Sequence, residues 1–203
     1  MIHLPRLYAV ADGTFGDPVP LAQALFNGGA RLIQIRHKTA SARTLIAEVT
    51  AALRFAPEDA RVIVNDRPDI ARITGAAGVH LGQDDLPPSA TRRVLTADQI
   101  IGFSTHNISQ AIEADDAPVD YLAAGPVFAT STKADAAPAL GLELLREICS
   151  KVRKPVVAIG GITLESAQRV LDCGATSVAV IGDLLRHANV EARTREWVRH
   201  LES

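Results

Sequence analysis

Aromatic residues and cysteines are scarce in this chain of 203 residues, and neither sign of charge dominates. Aromatic side chains make up 4% of the sequence, the net charge is -2 at pH 7, and lysines and arginines form no basic block. Proteins that bind nucleic acids attract phosphates with basic patches and stack bases on aromatic rings. The composition therefore argues against a nucleic-acid partner.

Long apolar runs are also missing, since no stretch reaches the roughly 20 residues that a transmembrane helix needs. The opening residues, MIHLPRLYAVADG, lack a basic start followed by a long apolar segment, so we expect no secretory signal. Cys149 and Cys173 lie outside any CxxC or Cys/His motif, which favours free thiols over a disulfide. We therefore expect a cytoplasmic protein without a membrane partner.

Short apolar runs typical of strands recur eight times, and segments with helical periodicity, such as SARTLIAEVTAAL, lie between them. The runs are LYAVAD (7–12), RLIQIRH (31–37), RVIVND (61–66), GVHLGQ (78–83), IIGFST (100–105), VDYLAAG (119–125), PVVAIGG (155–161) and SVAVIGD (177–183). Alternating apolar strands and helices indicate a parallel sheet covered by helices. We predict an α/β fold, a (β/α)8 TIM barrel formed as one domain over residues 1–203, with a doubly wound open sheet as the alternative.

Polar residues gather at the ends of these predicted strands, which is where a barrel of this kind places its chemistry. The second strand carries Gln34, Arg36 and Lys38, spaced two apart and therefore on one face. Two cations and an amide suit a phosphate or a diphosphate. The alternative is that Arg36 and Lys38 lie on a solvated strand end or pair with acids.

Acidic residues end the next two strands, with Asn65 and Asp66 after the third and Asp84 and Asp85 after the fourth. One carboxylate from each of two adjacent strands could share a Mg²⁺ ion with substrate phosphates. The alternative is that these aspartates cap the helices that follow. We predict a metal site.

The fifth strand ends in GFSTH, which contains Ser104, Thr105 and His106. His106 is a candidate acid or base, but a structural hydrogen bond or a helix cap explains it equally well. His80, within the fourth predicted strand, fits a structural role better than a zinc site because no His/Cys cluster accompanies it.

Two loops in the last part of the chain could bind anions. The glycine turns AIGGIT and VIGD follow strands seven and eight. In barrel enzymes the loops after these two strands commonly bind a phosphate. The alternative is that the glycines are needed only for tight turns. The loop ATSTKAD after the sixth strand offers Thr130, Thr132 and Lys133. We therefore predict two anion subsites, one for a metal-assisted diphosphate and one for a monophosphate.

An ordered set of motifs carries a family resemblance. These are QIRHK, VNDRPDIA, GVHLGQDD, GFSTH, GPVFATSTKAD, AIGGIT and VAVIGD. In this order they resemble thiamine-phosphate synthases, from Leu7 to about Leu185. The resemblance implies a (β/α)8 barrel and a Mg²⁺-dependent transferase. Such enzymes join 4-amino-5-hydroxymethyl-2-methylpyrimidine diphosphate to 4-methyl-5-(2-hydroxyethyl)thiazole phosphate, releasing pyrophosphate.

The resemblance also implies roles for individual residues. Asp66 and Asp85 would bind Mg²⁺, and Asp85 rather than Asp84 matches the family's last acid after GQ. The diphosphate would be held by Gln34, Arg36, Lys38, Asn65 and Lys133, and the pyrimidine by Ser104. The thiazole phosphate would be held by Thr130, Ser131, Thr132, Gly161, Ile181 and Gly182. Arg36, Lys38 and Lys133 would be catalytic because they neutralise the leaving diphosphate in a dissociative reaction.

The chain departs from the family pattern at VADG after the first strand, at Ala129 and at VIGD, which puts affinity in doubt more than reaction type. A thiazole tautomerase of the same fold, with His106 as acid or base, and a non-catalytic regulatory relative are the alternatives. The acids and cations named above favour the synthase over both. The sequence leaves the oligomeric state open, with a homodimer as one alternative, and leaves open whether Mn²⁺ replaces Mg²⁺.

Overall fold

A computed structural model describes residues 2–130 and 138–202. Eight parallel strands form a closed barrel in the order of the sequence, with β8 paired to β1. The strands are β1 (Leu7–Asp12), β2 (Leu32–Arg36), β3 (Arg61–Asn65), β4 (Gly78–Leu81), β5 (Ile100–Thr105), β6 (Tyr121–Ala124), β7 (Val156–Ile159) and β8 (Ser177–Val180). The predicted barrel is confirmed, and the open sheet is excluded.

Helices follow the strands and cover the outside of the barrel. Within the described residues they are α1 (Pro18–Asn27), α2 (Ala42–Phe55), α3 (Pro68–Thr74), α4 (Pro88–Val94), α5 (Ile108–Asp116), α6 (Gly141–Lys151), α7 (Leu164–Leu171), α8 (Gly182–Leu185) and α9 (Val190–Glu202). None of the helices in the described part of the chain is long and apolar enough to cross a bilayer.

Local signals explain where several helices begin and end. Asp17 accepts a hydrogen bond from the Val19 N–H ahead of α1, and Ser41 does the same for the Thr44 N–H ahead of α2. These caps satisfy backbone donors that have no partner within the helix. Helix α3 ends at Gly75, whose φ of 71° is the left-handed conformation that glycine adopts readily.

The strands are buried on both faces, so two apolar cores exist. The larger core lies between the sheet and the helices, and the smaller one fills the barrel interior. The interior core contains Leu4, Tyr8, Leu32, Ile63, Ile100, Tyr121, Ala123, Val157 and Ala179. Because side chains alternate along a strand, Gln34 and Arg36 point to the same side as Leu32 and into the barrel.

Candidate active site

The predicted polar residues meet at one end of the barrel, at the carboxyl ends of the strands, which we call the mouth. Gln34, Arg36 and Asn65 are buried there although they are polar, with 6%, 9% and 9% of their surface exposed. Strand β2 pairs with β1 and β3, so these side chains project from adjacent strands. Buried polar groups need partners, and the contacts described below supply several of them.

Arg36 pairs with Asp12, an acid that sequence reasoning did not assign to the site. The Arg36 guanidinium donates to an Asp12 carboxylate oxygen at 2.5 Å, and the two residues lie side by side in adjacent strands. The other Asp12 oxygen accepts from the Thr14 N–H and hydroxyl at 3.0 and 2.9 Å. Asp12 is 1% exposed, so this ion pair fixes the guanidinium at the mouth. Pairing with an acid, the alternative interpretation of Arg36, is therefore present in the structure.

Lys38 faces Asp66 across the ends of β2 and β3. The ammonium nitrogen lies 3.3 Å from an Asp66 carboxylate oxygen, and the Lys38 side chain is 55% exposed. Asp66 has a φ of 62°, which is uncommon for a residue other than glycine, and its N–H donates to the His80 carbonyl at 2.8 Å. Strained backbone of this kind clusters at functional sites. The Asp66 carboxylate lies against Lys38 just beyond the end of β3.

Asp85 lies beside Asp66 and is half-buried, whereas Asp84 is exposed. The Gly82 N–H donates to an Asp85 oxygen at 2.7 Å and so folds the β4 loop back on itself. Burial raises the pKa of Asp85 above its ordinary value, and the nearby Asp66 carboxyl raises it further. The Gly82 N–H and Lys38 lower this pKa, but the net effect is an increase. Two carboxylates this close repel each other, and a bound cation would reduce the repulsion.

The donor set of this acidic pair fits Mg²⁺. Among residues 2–130 and 138–202, no group of three or more His, Cys, Asp or Glu side chains could hold a metal ion. Zinc sites use such groups, but Mg²⁺ takes one or two carboxylates and completes its shell with water and substrate phosphates. Asp66 and Asp85 offer hard oxygen atoms in that number.

Ser104 and Gln34 are joined to side chains of the barrel interior. The Ser104 hydroxyl lies 2.9 Å from His80 Nε2, and Gln34 Nε2 donates to the Tyr8 hydroxyl at 2.9 Å. His80 therefore has the structural role that we predicted for it. Tyr8 was missed because an aromatic residue within an apolar run gives no sign of a hydroxyl that reaches the site.

His106 is engaged in a structural contact. Its Nδ1 donates to the Gly125 carbonyl at 2.7 Å, and its own N–H donates to the Gln110 side chain at 2.7 Å. Both contacts tie the end of β5 to its neighbours. They support the structural interpretation of His106 over a role as acid or base.

The glycine turn after β7 packs against the segment that follows β6. Gly160 and Gly161 have φ values of 100° and 66°, and a Cβ on Gly161 would lie 2.6 Å from the Ala129 carbonyl oxygen. The Phe128 N–H donates to the Gly160 carbonyl at 3.0 Å. These positions therefore require glycine for close packing as well as for their φ values.

The remaining predicted residues lie near this glycine turn at the mouth or outside the described residues. Ile181 is buried, Gly182 begins α8, and Thr130 ends the first described segment. Ser131, Thr132 and Lys133 lie outside the described residues. Their predicted contacts to the two substrates stay predictions.

Comparison with known proteins agrees with this geometry. The sequence model of the thiamine monophosphate synthase family matches residues 7–184. The chain belongs to this family. A thiamine-phosphate synthase from Koribacter versatilis is 43% identical over 209 residues, covering 100% of this chain and 98% of its own. One from Chlorobium phaeovibrioides is 42% identical over 199 residues, covering 98% of this chain and 95% of its own.

A solved structure extends the family likeness to three dimensions. The thiamine phosphate pyrophosphorylase from Pyrococcus furiosus superimposes with a TM-score of 0.90 at 35% identity, covering 97% of this chain and 95% of that one. The resemblance predicted from the motifs is thereby confirmed. Barrel enzymes build their active sites at the carboxyl ends of their strands, which makes the mouth the candidate active site of this chain.

Proposed function

We propose that this member of the family joins 4-amino-5-hydroxymethyl-2-methylpyrimidine diphosphate to 4-methyl-5-(2-hydroxyethyl)thiazole phosphate, giving thiamine phosphate and pyrophosphate. The observation that carries the proposal is the meeting of cations and acids at one barrel mouth, with Lys38 against Asp66 and Asp85 beside it. Arg36, which is paired with Asp12, ends β2 just before Lys38. Such a mixed cluster suits a diphosphate bound with a divalent cation.

The reaction needs a good leaving group more than it needs a nucleophile. We propose that the bond between the pyrimidine methylene carbon and the diphosphate oxygen breaks first, and the electron pair leaves with the diphosphate. The lone pair of the thiazole nitrogen then forms the new carbon–nitrogen bond, and the positive charge stays on the thiazolium. Lys38 and Arg36 stabilise the charge that develops on the leaving group, and we propose the same for Lys133.

Asp66 and Asp85 are the residues that would hold Mg²⁺. When bound, the ion supplies positive charge to the diphosphate oxygens. Burial, and after it the neighbouring Asp66 carboxyl, raise the pKa of Asp85, and a shared cation would offset both effects, which supports this assignment. Asn65 is buried next to Asp66 and would add an amide contact to the diphosphate.

The second substrate would bind on the opposite side of the mouth. We propose that Gly161, Ile181 and Gly182 shape the thiazole phosphate pocket, together with the hydroxyls of Thr130, Ser131 and Thr132. The close packing of Gly161 on Ala129 supports this arrangement because it brings the two loops together. Holding both substrates in one orientation contributes to the rate by proximity.

We further propose that the protein works in the cytoplasm, where Cys149 and Cys173 would remain reduced. Both are free thiols in the structure, and burial raises the pKa of Cys149 to about 11. A thiol with such a pKa is almost fully protonated at neutral pH and is a poor nucleophile. No interface between copies supports a particular assembly, so a homodimer stays a prediction.

A thiochrome assay tests the proposed function. Purified protein is mixed with both substrates and Mg²⁺, and thiamine phosphate is followed by its fluorescence after oxidation. We expect EDTA, Asp66→Ala and Asp85→Ala each to lower the rate at least about 100-fold, because each leaves the leaving group without its cation. Asp84→Ala is the matched control, since this neighbouring acid is exposed, and its rate should equal that of the unchanged protein.

Two results would overturn the proposal. One is the absence of thiamine phosphate when calorimetry shows that both substrates bind. The other is a rate for Asp85→Ala that equals the rate for Asp84→Ala. The first removes the transferase activity, and the second removes the metal role while leaving the activity in place.

A further inference from the structure

Five side chains form a continuous chain of hydrogen bonds across the barrel interior. Gln34 Nε2 lies 2.9 Å from the Tyr8 hydroxyl, which lies 3.0 Å from the Tyr121 hydroxyl. The Tyr121 hydroxyl lies 2.9 Å from His80 Nδ1, and His80 Nε2 lies 2.9 Å from the Ser104 hydroxyl. The two ends, Gln34 and Ser104, are residues that we assign to the pyrimidine diphosphate. An inference from this chain therefore rests on the proposed function.

Packing holds the three middle residues in place. Tyr8 and Tyr121 are 1% and 0% exposed and meet edge to face, with ring centroids 6.0 Å apart. The His80 ring stacks on Tyr121 at 5.6 Å and 18°. Gly102 makes room for the Tyr121 ring, because a Cβ at residue 102 would lie 2.0 Å from the ring carbon that bears the hydroxyl. The geometry of the chain is therefore built into the core.

The donor at one end favours one direction along these hydrogen bonds. The Gln34 amide nitrogen donates to the Tyr8 hydroxyl, which keeps its own proton available for the Tyr121 hydroxyl. With that direction, Tyr121 donates to an unprotonated His80 Nδ1. The proton of a neutral His80 then lies on Nε2 and is donated to the Ser104 oxygen. With its oxygen accepting from His80, the Ser104 hydroxyl would have its own proton available for a ligand at the mouth.

The protonation of the two tyrosines agrees with this direction. Burial raises the pKa of Tyr8 and the pKa of Tyr121 well above their ordinary value near 10. Each tyrosine hydroxyl therefore stays protonated at neutral pH and can donate one hydrogen bond.

We propose that Tyr8, Tyr121 and His80 are positioning residues that transmit the direction set by Gln34 and make Ser104 a hydrogen-bond donor to the pyrimidine. Ser104 then favours a ring that presents a nitrogen acceptor and disfavours one that presents an N–H at that position. Discrimination of this type is strong when a buried polar group would otherwise be left unpaired. The specificity for the pyrimidine thus begins at Gln34 on β2, three strands away from Ser104 on β5.

The tautomer of His80 tests the proposal without any substrate. Side-chain ¹⁵N spectra of the labelled protein distinguish the two neutral tautomers and the charged ring, and His80→Gln assigns the signal among the six histidines. We expect an unprotonated Nδ1 and a protonated Nε2 at neutral pH. In Tyr8→Phe the connection to Gln34 is lost, and we expect the signal to shift toward a mixture of the two tautomers.

Kinetics supplies the second readout. Tyr8→Phe should raise the KM for the pyrimidine diphosphate about 3- to 10-fold, as expected for one hydrogen bond, and leave the KM for the thiazole phosphate unchanged. Thr105→Val is the matched control, because the buried Thr105 hydroxyl donates to the Ala123 carbonyl outside the chain of five. It removes a buried hydroxyl from the neighbouring position of β5 and should alter neither the His80 signal nor either KM.

The outcomes separate this proposal from the proposed function. A protonated Nδ1 in the unchanged protein, or an identical His80 signal in Tyr8→Phe, overturns the direction of the chain. If Tyr8→Phe changes the KM for both substrates equally, the hydrogen-bond chain has no specific role in pyrimidine binding. If the unchanged protein makes no thiamine phosphate, the proposed function fails, and with it the role assigned to Ser104, whereas the nitrogen spectra still decide the direction of the chain.

Discussion

The two sides of the barrel mouth differ in construction, since one consists of charged side chains and the other of closely packed backbone. The side formed by β1 to β5, which we call the side-chain half, places its charges in pairs, with Arg36 on Asp12 and Lys38 on Asp66. The side formed by β6 to β8, which we call the glycine half, is shaped by close backbone packing around Gly160 and Gly161. If both proposed anion sites are correct, one barrel builds them in two different ways.

The difference teaches how each half meets its ligand. In the side-chain half, the cations already have acid partners, so a diphosphate with its metal must redistribute contacts that exist before binding. In the glycine half, the shape of the pocket depends on glycines that have no side chain, so there are few side-chain contacts for a ligand to replace. Substitutions should therefore change charge and metal affinity in the first half, and packing in the second.

The largest effect should come from Asp12→Ala. It leaves the buried Arg36 guanidinium without its acid, and breaking a buried ion pair in this way lowers the free energy of unfolding by about 3–5 kcal/mol. Chemical denaturation measures this change. Asp59→Ala is the control, because it removes the acid of the exposed pair with Arg31 and should change the stability by less than about 1 kcal/mol. Equal losses in both variants would show that the Arg36 pair has no special importance.

Gly161→Ala should have the next largest effect, and Gly75→Ala is its matched control. Both glycines have left-handed φ values, 66° and 71°, so alanine costs about 1 kcal/mol at either position. Only Gly161 would bring its Cβ to 2.6 Å from the Ala129 carbonyl, whereas nothing lies within 4 Å of a Cβ at Gly75. Overpacking should therefore add about 1–3 kcal/mol to the loss for Gly161→Ala.

Thermal denaturation measures the stability of the two variants, and the thiochrome assay at varied thiazole phosphate concentration measures the KM. We expect the KM for thiazole phosphate to rise in Gly161→Ala alone. Variants with the same stability and the same KM would refute the close packing of the glycine half.

Mg²⁺ should stabilise the protein through the acidic pair. At about 100 times its Kd, a ligand that binds only the folded state adds about 2.7 kcal/mol. We expect this gain in the unchanged protein and not in Asp85→Asn. The test is calorimetric melting with Mg²⁺ and with EDTA.

Asp85→Asn should have a second, opposite effect in EDTA. The folded-state pKa of Asp85 is raised, so its ionised form opposes folding at neutral pH; this effect declines as the pH falls through the folded-state pKa and is gone below the unfolded-state pKa. Removing the charge should thus raise the melting temperature slightly at pH 7 and not at low pH. A lower melting temperature in EDTA at pH 7 would contradict the mutual repulsion of the acids.

The smallest change in stability should come from Lys38→Met. Its pair with Asp66 is half exposed, and such pairs contribute less than about 1 kcal/mol. The rate of thiamine phosphate formation should nevertheless fall, since Lys38 would stabilise the leaving diphosphate. Denaturation and the thiochrome assay on the same preparation separate the two effects, and a large loss of stability would show that Lys38 is mainly structural.

The barrel was predictable because its signals are local. Eight apolar runs alternate with amphipathic segments, and each run predicted a strand that the structure contains. The polar residues at the strand ends could be placed at one mouth for the same reason, since parallel strands share an orientation.

Long-range contacts explain what the sequence did not show. Asp12 and Arg36 are 24 residues apart, and only the register of β1 on β2 brings them together. Tyr8 and Tyr121 are 113 residues apart and lie in runs that look uniformly apolar. A hydroxyl at the edge of a buried ring leaves no periodic signal, so the hydrogen-bond chain became visible only in three dimensions.

Calorimetric titration with inorganic pyrophosphate and Mg²⁺ tests the division of the mouth most directly. We expect Asp85→Asn to weaken pyrophosphate binding at least about 10-fold, and Asp84→Asn to bind it like the unchanged protein. Binding of thiazole phosphate should be equal in all three proteins, because it belongs to the glycine half. Asp85→Asn that binds pyrophosphate normally, or that loses both ligands equally, would contradict two separately built anion sites.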